Sequence, residues 1–269
     1  MQEYGEIFCL FYADKQRSDL EPLKEDLVKF LEAWISLASS NDINLILCSE
    51  FWPSFMNQLV TDMQHHNSVV VNSVFVILSN LTWSDNSNQL NQFLETDVIA
   101  RCHRAICSRS VNVVFAFSIV QNLLISKPEF IDYVMKCDNF ILDILLSLRG
   151  LQNAKELAEA LRTLIVILKC DSYPLLVDYC IDNFESFAEI YQLISKSQDA
   201  ECMLYIRDVI VIIFHLGADR ADKWQLSDNS FIQQLLESEE LQEKLELGSR
   251  HFNPQIGKKF DELLSKFFD

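Results

Sequence analysis

The residues able to do chemistry in this 269-residue chain are scattered, and their spacing argues against most catalytic designs. Cys102, His103 and Cys107 form a local Cys/His cluster, but a step of five on a helix splays the two thiols and no second ligand pair follows, so the expected role is helix packing and not zinc. His65 and His66 are adjacent, which on a helix sets their rings about 100° apart. They read as a helix C-terminus, where a cationic imidazole complements the dipole, and not as a metal pair. His215, inside Val-Ile-Val-Ile-Ile-Phe-His-Leu, reads as a core or groove histidine. No Ser or Cys sits in a nucleophile motif. The carboxylates occur singly on polar faces or at helix starts, so spacing identifies no acid–base pair. Gly5, Gly150, Gly217, Gly248 and Gly257 are too far apart to build a phosphate loop or a nucleophile elbow. The expectation is a protein with no catalytic residues, no metal and no cofactor.

Charge narrows the partners. With 39 acidic against 22 basic residues the formal net charge is −17, and the longest Lys/Arg run is Lys258-Lys259. The electrostatic attraction that drives binding to a phosphate backbone is missing, so no direct nucleic-acid contact is expected. The longest apolar runs, at 7–13 and 209–214, fall far short of the ~20 residues that span a bilayer, and the acidic start lacks the basic region of a secretory signal. Eight dispersed cysteines without a Cys-x-x-Cys read as reduced, buried small hydrophobes. A soluble cytoplasmic or nuclear protein is expected.

The elements that must position these residues are helices. Five Gly and five Pro are far below the usual ~7% and ~5%. Ser18-Asp19-Leu20-Glu21 fits a capping box followed by Pro22, opening a helix whose apolar face carries Leu23, Leu27, Phe30, Leu31, Trp34 and Leu37. A second helix starts near Ser49, with Phe55, Leu59 and Met63 inward, and a third follows Asn67. Beyond it a pattern recurs: Ile77-Leu78-Ser79-Asn80-Leu81, Ile119-Val120-Gln121-Asn122-Leu123, Leu164-Ile165-Val166-Ile167-Leu168 and Ile212-Ile213-Phe214-His215-Leu216. Aligned on Asn80, Asn122, Ile167 and His215, the spacings are 42, 45 and 48. The segment 128–134 matches 174–180 in Pro, Asp and Tyr, and Asp-Asn-Phe follows each, at 138–140 and 182–184. Each unit reads as a short helix near Pro, a middle helix after Asp and a long third helix. Such a unit buries its faces only by stacking on its neighbours.

The period and the stretch LSNLTWSDNSNQLNQFLETDVI, which starts at Leu78, resemble an armadillo repeat. The resemblance covers roughly Ser49 to Gln225. It implies an all-α fold, a right-handed α-solenoid of about four three-helix repeats in one domain, with N-terminal cap helices over 1–48, repeats over 49–225 and C-terminal cap helices over 226–269. Where the family usually places Gly, this chain has Asp97, Asp138 and Asp182, each able to cap the next helix. Family members that bind extended peptides use an Asn ladder with Trp one turn earlier. Here the ladder positions are Asn80, Asn122, Ile167 and His215, preceded by Val76, Ser118, Thr163 and Val211, which does not support importin-like cargo binding.

The expected function is therefore a non-enzymatic scaffold or adaptor that holds a peptide or helical segment of a protein partner in a concave groove offering Asn80, Trp83, Ser118, Asn122, Thr163, Arg207 and His215. Trp83 is the foremost contact, since Trp is enriched in interface hot spots. Two other readings stay open at this stage. One is a regulatory or co-chaperone subunit binding through its terminal helices, and the other is self-assembly into a homodimer. Both would use the apolar face of the last helix, with Phe260, Leu264, Phe267 and Phe268, which must be buried somewhere.

Overall fold

In the computed structural model every regular element among the described residues is helical. Those residues are 2–13, 18–83, 90–109, 113–151, 153–170, 176–224 and 230–268. Contacts divide the chain into two units, Met1–Asp138 and Asn139–Asp269.

The first unit contains α1 (Gln2–Ala13), α2 (Lys24–Leu37), α3 (Ser40–Leu47), α4 (Trp52–Asp62), α5 (Ser68–Thr82), α6 (Val98–Ser108), α7 (Val113–Ser126) and α8 (Ile131–Lys136), with 3-10 turns at Ser18–Leu23, Asn91–Glu95 and Pro128–Phe130. Helices one period apart pack on each other, α2 on α5 and α5 on α7, while α1 lies against α4. The second unit contains α9 (Phe140–Leu148), α10 (Ala154–Leu168), α11 (Leu176–Asp182), α12 (Phe184–Ile194), α13 (Ala200–Trp224), α14 (Ser230–Leu236), α15 (Glu239–Ser249) and α16 (Pro254–Phe268). Here α10 packs on α13 and α13 on α16, and in the other layer α9 packs on α12 and α12 on α15. Side-chain hydrogen bonds repeat the interval in both units: Asn80 to Ser36, Arg101 to the Val60 carbonyl, Cys202 to the Ala154 carbonyl and Gln192 to Glu240.

Several expectations shift. The α-helix opening the first unit begins at Lys24, after a 3-10 turn that holds Pro22; the Ser18 side chain that would cap it lies outside the described residues. Its buried stripe is Val28, Leu31 and Ile35, whereas Leu23, Phe30 and Leu37 are exposed. Helix α2 packs on both α5 and α1, and Phe30 lies beside Phe8 of α1, ring centroids 4.3 Å apart. The helix α3 is additional, opened by a Ser39/Asp42 capping box. The polar link 84–89, positions 174 and 175 of the second Pro-containing copy and the boundary at 225 lie outside the described residues.

The caps also sit elsewhere than expected. Asp97 occupies the N-cap of α6 but makes no capping bond, because its carboxylate accepts from Arg101 Nε at 2.6 Å. Asp138 and Asp182 stand one residue before the N-caps, which are Asn139 and Asn183. Asn139 has φ 62°, the left-handed conformation that Asn tolerates better than most residues. Side-chain capping is found instead where the long helices begin. Asn67, Asn153 and Asn253 accept from Val69, Lys155 and Gln255 N–H at 2.9, 2.9 and 3.0 Å, and Asp199 accepts from Cys202 N–H at 2.9 Å. Each satisfies a backbone donor that the first helical turn leaves without a partner.

Candidate functional site

Four of the seven expected groove residues belong to the first unit. Trp83 ends α5 and is 73% exposed, and its backbone N–H closes the helix on the Asn80 carbonyl. Asn80 is half-buried and donates to Ser36 Oγ at 3.3 Å, one period back. Ser118 is half-buried and its hydroxyl donates to the Val114 carbonyl at 2.9 Å. Asn122 is only 7% exposed; its amide nitrogen donates to the Ser79 carbonyl at 3.1 Å and to Thr82 Oγ1 at 3.2 Å, which fixes α7 against α5. Two residues absent from the expected set join Trp83. Leu37, the last residue of α2, is 87% exposed, and Ile125, in the last turn of α7, is 64% exposed. Successive packed helices thus end in exposed apolar side chains.

The other three belong to the second unit. Thr163 is fully buried and donates to the Glu159 carbonyl at 2.8 Å, within its own helix. Arg207 pairs with Asp208 at 2.7 Å, and its Nε is buried without a partner. His215 is exposed; its Nε2 accepts from Lys266 Nζ at 2.9 Å and its ring lies 5.3 Å from Phe267. The expected terminal contacts are packed within the unit. Phe260 is fully buried, Leu264, Phe267 and Phe268 are half-buried, and Phe214 meets Phe267 and Phe268 at 5.0 and 6.0 Å.

A further constellation gathers around His65 and His66. They lie past the end of α4, in the corner that leads into α5, and not on a helix as expected. His65 Nδ1 accepts from the Asn67 N–H at 3.0 Å and its Nε2 lies 2.8 Å from Glu21, an arrangement that suits the tautomer with its hydrogen on Nε2. The same local geometry recurs 186 residues later: His251 Nδ1 accepts from the Asn253 N–H at 3.1 Å. In each corner the histidine ring lies over the next residue's ring, His66 at 4.1 Å and Phe252 at 4.3 Å. The tripeptides His-His-Asn and His-Phe-Asn carry this signal in the sequence, but at that separation no neighbouring repeat draws attention to it.

Glu21, His65 and His66 offer ligand atoms within 4.8 Å of one another. A metal on His65 Nε2 would push the ring proton onto Nδ1, against the Asn67 N–H, so the corner's own hydrogen bonds oppose it. A cleft of about 330 Å³ opens beside the corner, walled by Gln64, His65, His66, Ser68, Arg101 and Arg104. Elsewhere, burial pushes the Cys180 and Cys202 thiols up to about 12 and the Cys102 thiol still higher, which suppresses the thiolate that nucleophilic chemistry requires. Cys107, five residues after Cys102, is exposed, so the two thiols do diverge. No described helix is long and apolar enough to cross a membrane.

No known family and no curated protein matches the chain. Among solved structures it is similar to two engineered proteins from the Northeast Structural Genomics Consortium. Target OR366 matches with a TM-score of 0.70 at 14% identity, over 97% of this chain and 98% of that one. Target OR329 matches with a TM-score of 0.61 at 14% identity, over 94% and 96%. At that identity the likeness concerns the fold alone, and it supports the all-α class.

Proposed function

We propose that each unit is a stack of armadillo-like three-helix repeats and that the chain is a non-enzymatic scaffold, holding a segment of a protein partner against the helix ends of the first unit. The observation that carries this reading is the set of exposed apolar residues, Leu37, Trp83 and Ile125, that closes α2, α5 and α7. Isolated exposed hydrophobes are ordinary on any surface; three large ones on successive packed helices form an adjoining apolar edge of the kind that recognition surfaces use. Asn80 and Ser118 supply polar atoms on the same helices. Asn122 and Thr163 act inside their units and leave the contact set.

The test is capture of partners from the native cell by the full chain and by Trp83→Ala, Leu37→Ser and Ile125→Ser. Each exposed substitution is expected to change stability by no more than about 0.5 kcal/mol, and the same partner is expected to be lost from all three. Retention of that partner by Trp83→Ala, with loss only from Phe252→Ser in the second unit, would overturn the reading. Point changes serve better than truncation after Gly248, because removing α16 would strip Phe260 and Leu263 from the core.

A further inference from the structure

The cleft beside His65 stands out against the charge of the chain. Around a molecule of net charge −17, its lining contains two arginines and no carboxylate, with Asp97 paired to both arginines and Glu21 hydrogen-bonded to His65 behind it. Arg101 is held in place before any ligand arrives: its Nε binds Asp97 at 2.6 Å and its Nη1 donates to the Val60 and Thr61 carbonyls at 2.8 and 3.2 Å. Its side chain is only 16% exposed, and Nη2 takes no partner among the described residues. Arg104, one turn along α6, approaches Asp97 at 3.6 Å, and both its Nη atoms donate to the Gln64 side-chain carbonyl at 2.8 Å once that amide is oriented to satisfy them. Ser68 opens α5, so the positive end of a 15-residue helix borders the same space. Donors therefore come from α6, from the start of α5 and from the corner between helices.

We propose that this cleft binds a phosphate monoester carried on a partner's side chain, a phosphoserine within a basic-flanked segment. The dianion offers three strong acceptor oxygens, which suits donors arriving from several elements better than the two coplanar oxygens of a carboxylate. Guanidinium groups already fixed lose little rotamer freedom on binding. A volume of about 330 Å³ is at the small end of ligand sites, sized for one modified side chain. The acidic surroundings repel polyanions and favour a phosphate flanked by lysine or arginine. The inference is independent of the apolar helix ends, and either can fail without the other.

The probe is a fluorescent octapeptide with one phosphoserine between lysines, compared by anisotropy at low salt with its serine and glutamate counterparts, and competed with inorganic phosphate. The phosphopeptide is expected to bind at least tenfold tighter than either counterpart, millimolar phosphate to displace it, and Arg104→Gln to weaken it at least tenfold with an unchanged melting temperature. Arg101→Lys keeps the charge but loses the fork, and is expected to weaken binding while the chain stays folded. Equal binding of the three peptides overturns the proposal. So does binding insensitive to Arg104→Gln, or a phosphopeptide that phosphate does not displace.

Discussion

The corners at His65-His66-Asn67 and His251-Phe252-Asn253 share one backbone design and are secured by different means. Superposed in sequence on their histidines, Asp62 corresponds to Gly248 and Val71 to Gly257. At the first corner the buried Asp62 carboxylate, 3% exposed, gathers Tyr12 at 2.6 Å, Lys24 at 2.8 Å and Gln58 at 2.9 Å, joining α1, α2 and α4. At the second, Gly248 leaves room for the Phe260 ring, which lies 2.5 Å from where a Cβ would stand. A Cβ on Gly257 would come within 2.6 Å of the Ser249 carbonyl, at the position where the first corner accommodates Val71. One corner is held by charge and the other by close approach. A corner can therefore keep its turn while exchanging the interaction that secures it, provided each buried group is satisfied locally.

The sharpest way to break this contrast is Asp62→Ala. It leaves Tyr12 without its acceptor and Lys24 with only Glu21, at 3.4 Å, and losing one member of a buried ion pair costs up to about 3–5 kcal/mol. The loss should be confined to the first unit. Maleimide labelling of buried Cys102, which requires local opening, is expected to accelerate by roughly 100-fold or more, while labelling of Cys202 in the second unit hardly changes. Equal acceleration at both cysteines would show that Asp62 secures more than its own corner.

Next in size are Gly248→Ala and Gly257→Ala, each expected to destabilise by about 1–3 kcal/mol through overpacking. Gly257 should be the worse, because its obstacle is backbone and the Phe260 ring has some freedom to shift. Val71→Ala is the matched control at the first corner, where only buried methyl groups are lost. Urea unfolding that ranks Gly257→Ala as the mildest of the three would refute the close-approach account.

These sites also mark what the residues alone could tell. The helical class, the period near 45 and a helix beginning after Asn67 follow from apolar spacing, which acts within a few residues, whereas the caps expected at Asp97, Asp138 and Asp182 are not formed by those side chains. The orientation of α2 did not follow, because Leu23, Phe30 and Leu37 obey helical spacing as well as Val28, Leu31 and Ile35 do; only packing against neighbouring helices decides between them. Asn122 fits a groove amide equally well until Ser79 and Thr82, 40 or more residues earlier, are seen to take both its hydrogens. The basic cleft was hidden for the same reason, since Arg101 and Arg104 lie more than 30 residues from the histidines they face. Short-range rules fix elements, and pairings across a whole repeat assign a polar residue to core or surface.

The finest comparison is between the two caps. Asn67→Ala and Asn253→Ala each remove one N-cap acceptor, worth ~1 kcal/mol. Asn67 should cost more, since its amide also donates to Glu25 at 2.9 Å. That excess depends on pH. The Lys29 hydrogen bond, then that of Asn67, lowers the Glu25 carboxyl below its usual range, and the His65 hydrogen bond does the same for Glu21. Groups with depressed folded values stabilise fully above the unfolded carboxylate value of ~4.3 and lose that contribution as pH falls through the folded value. Both are solvent-exposed, so the effect is small. Melting curves of the two variants should therefore differ at pH 7 and converge as the solution is acidified through the lowered folded value of Glu25, where its carboxyl becomes a neutral and weaker acceptor. A gap that widens on acidification would mean that Asn67 acts through its cap alone.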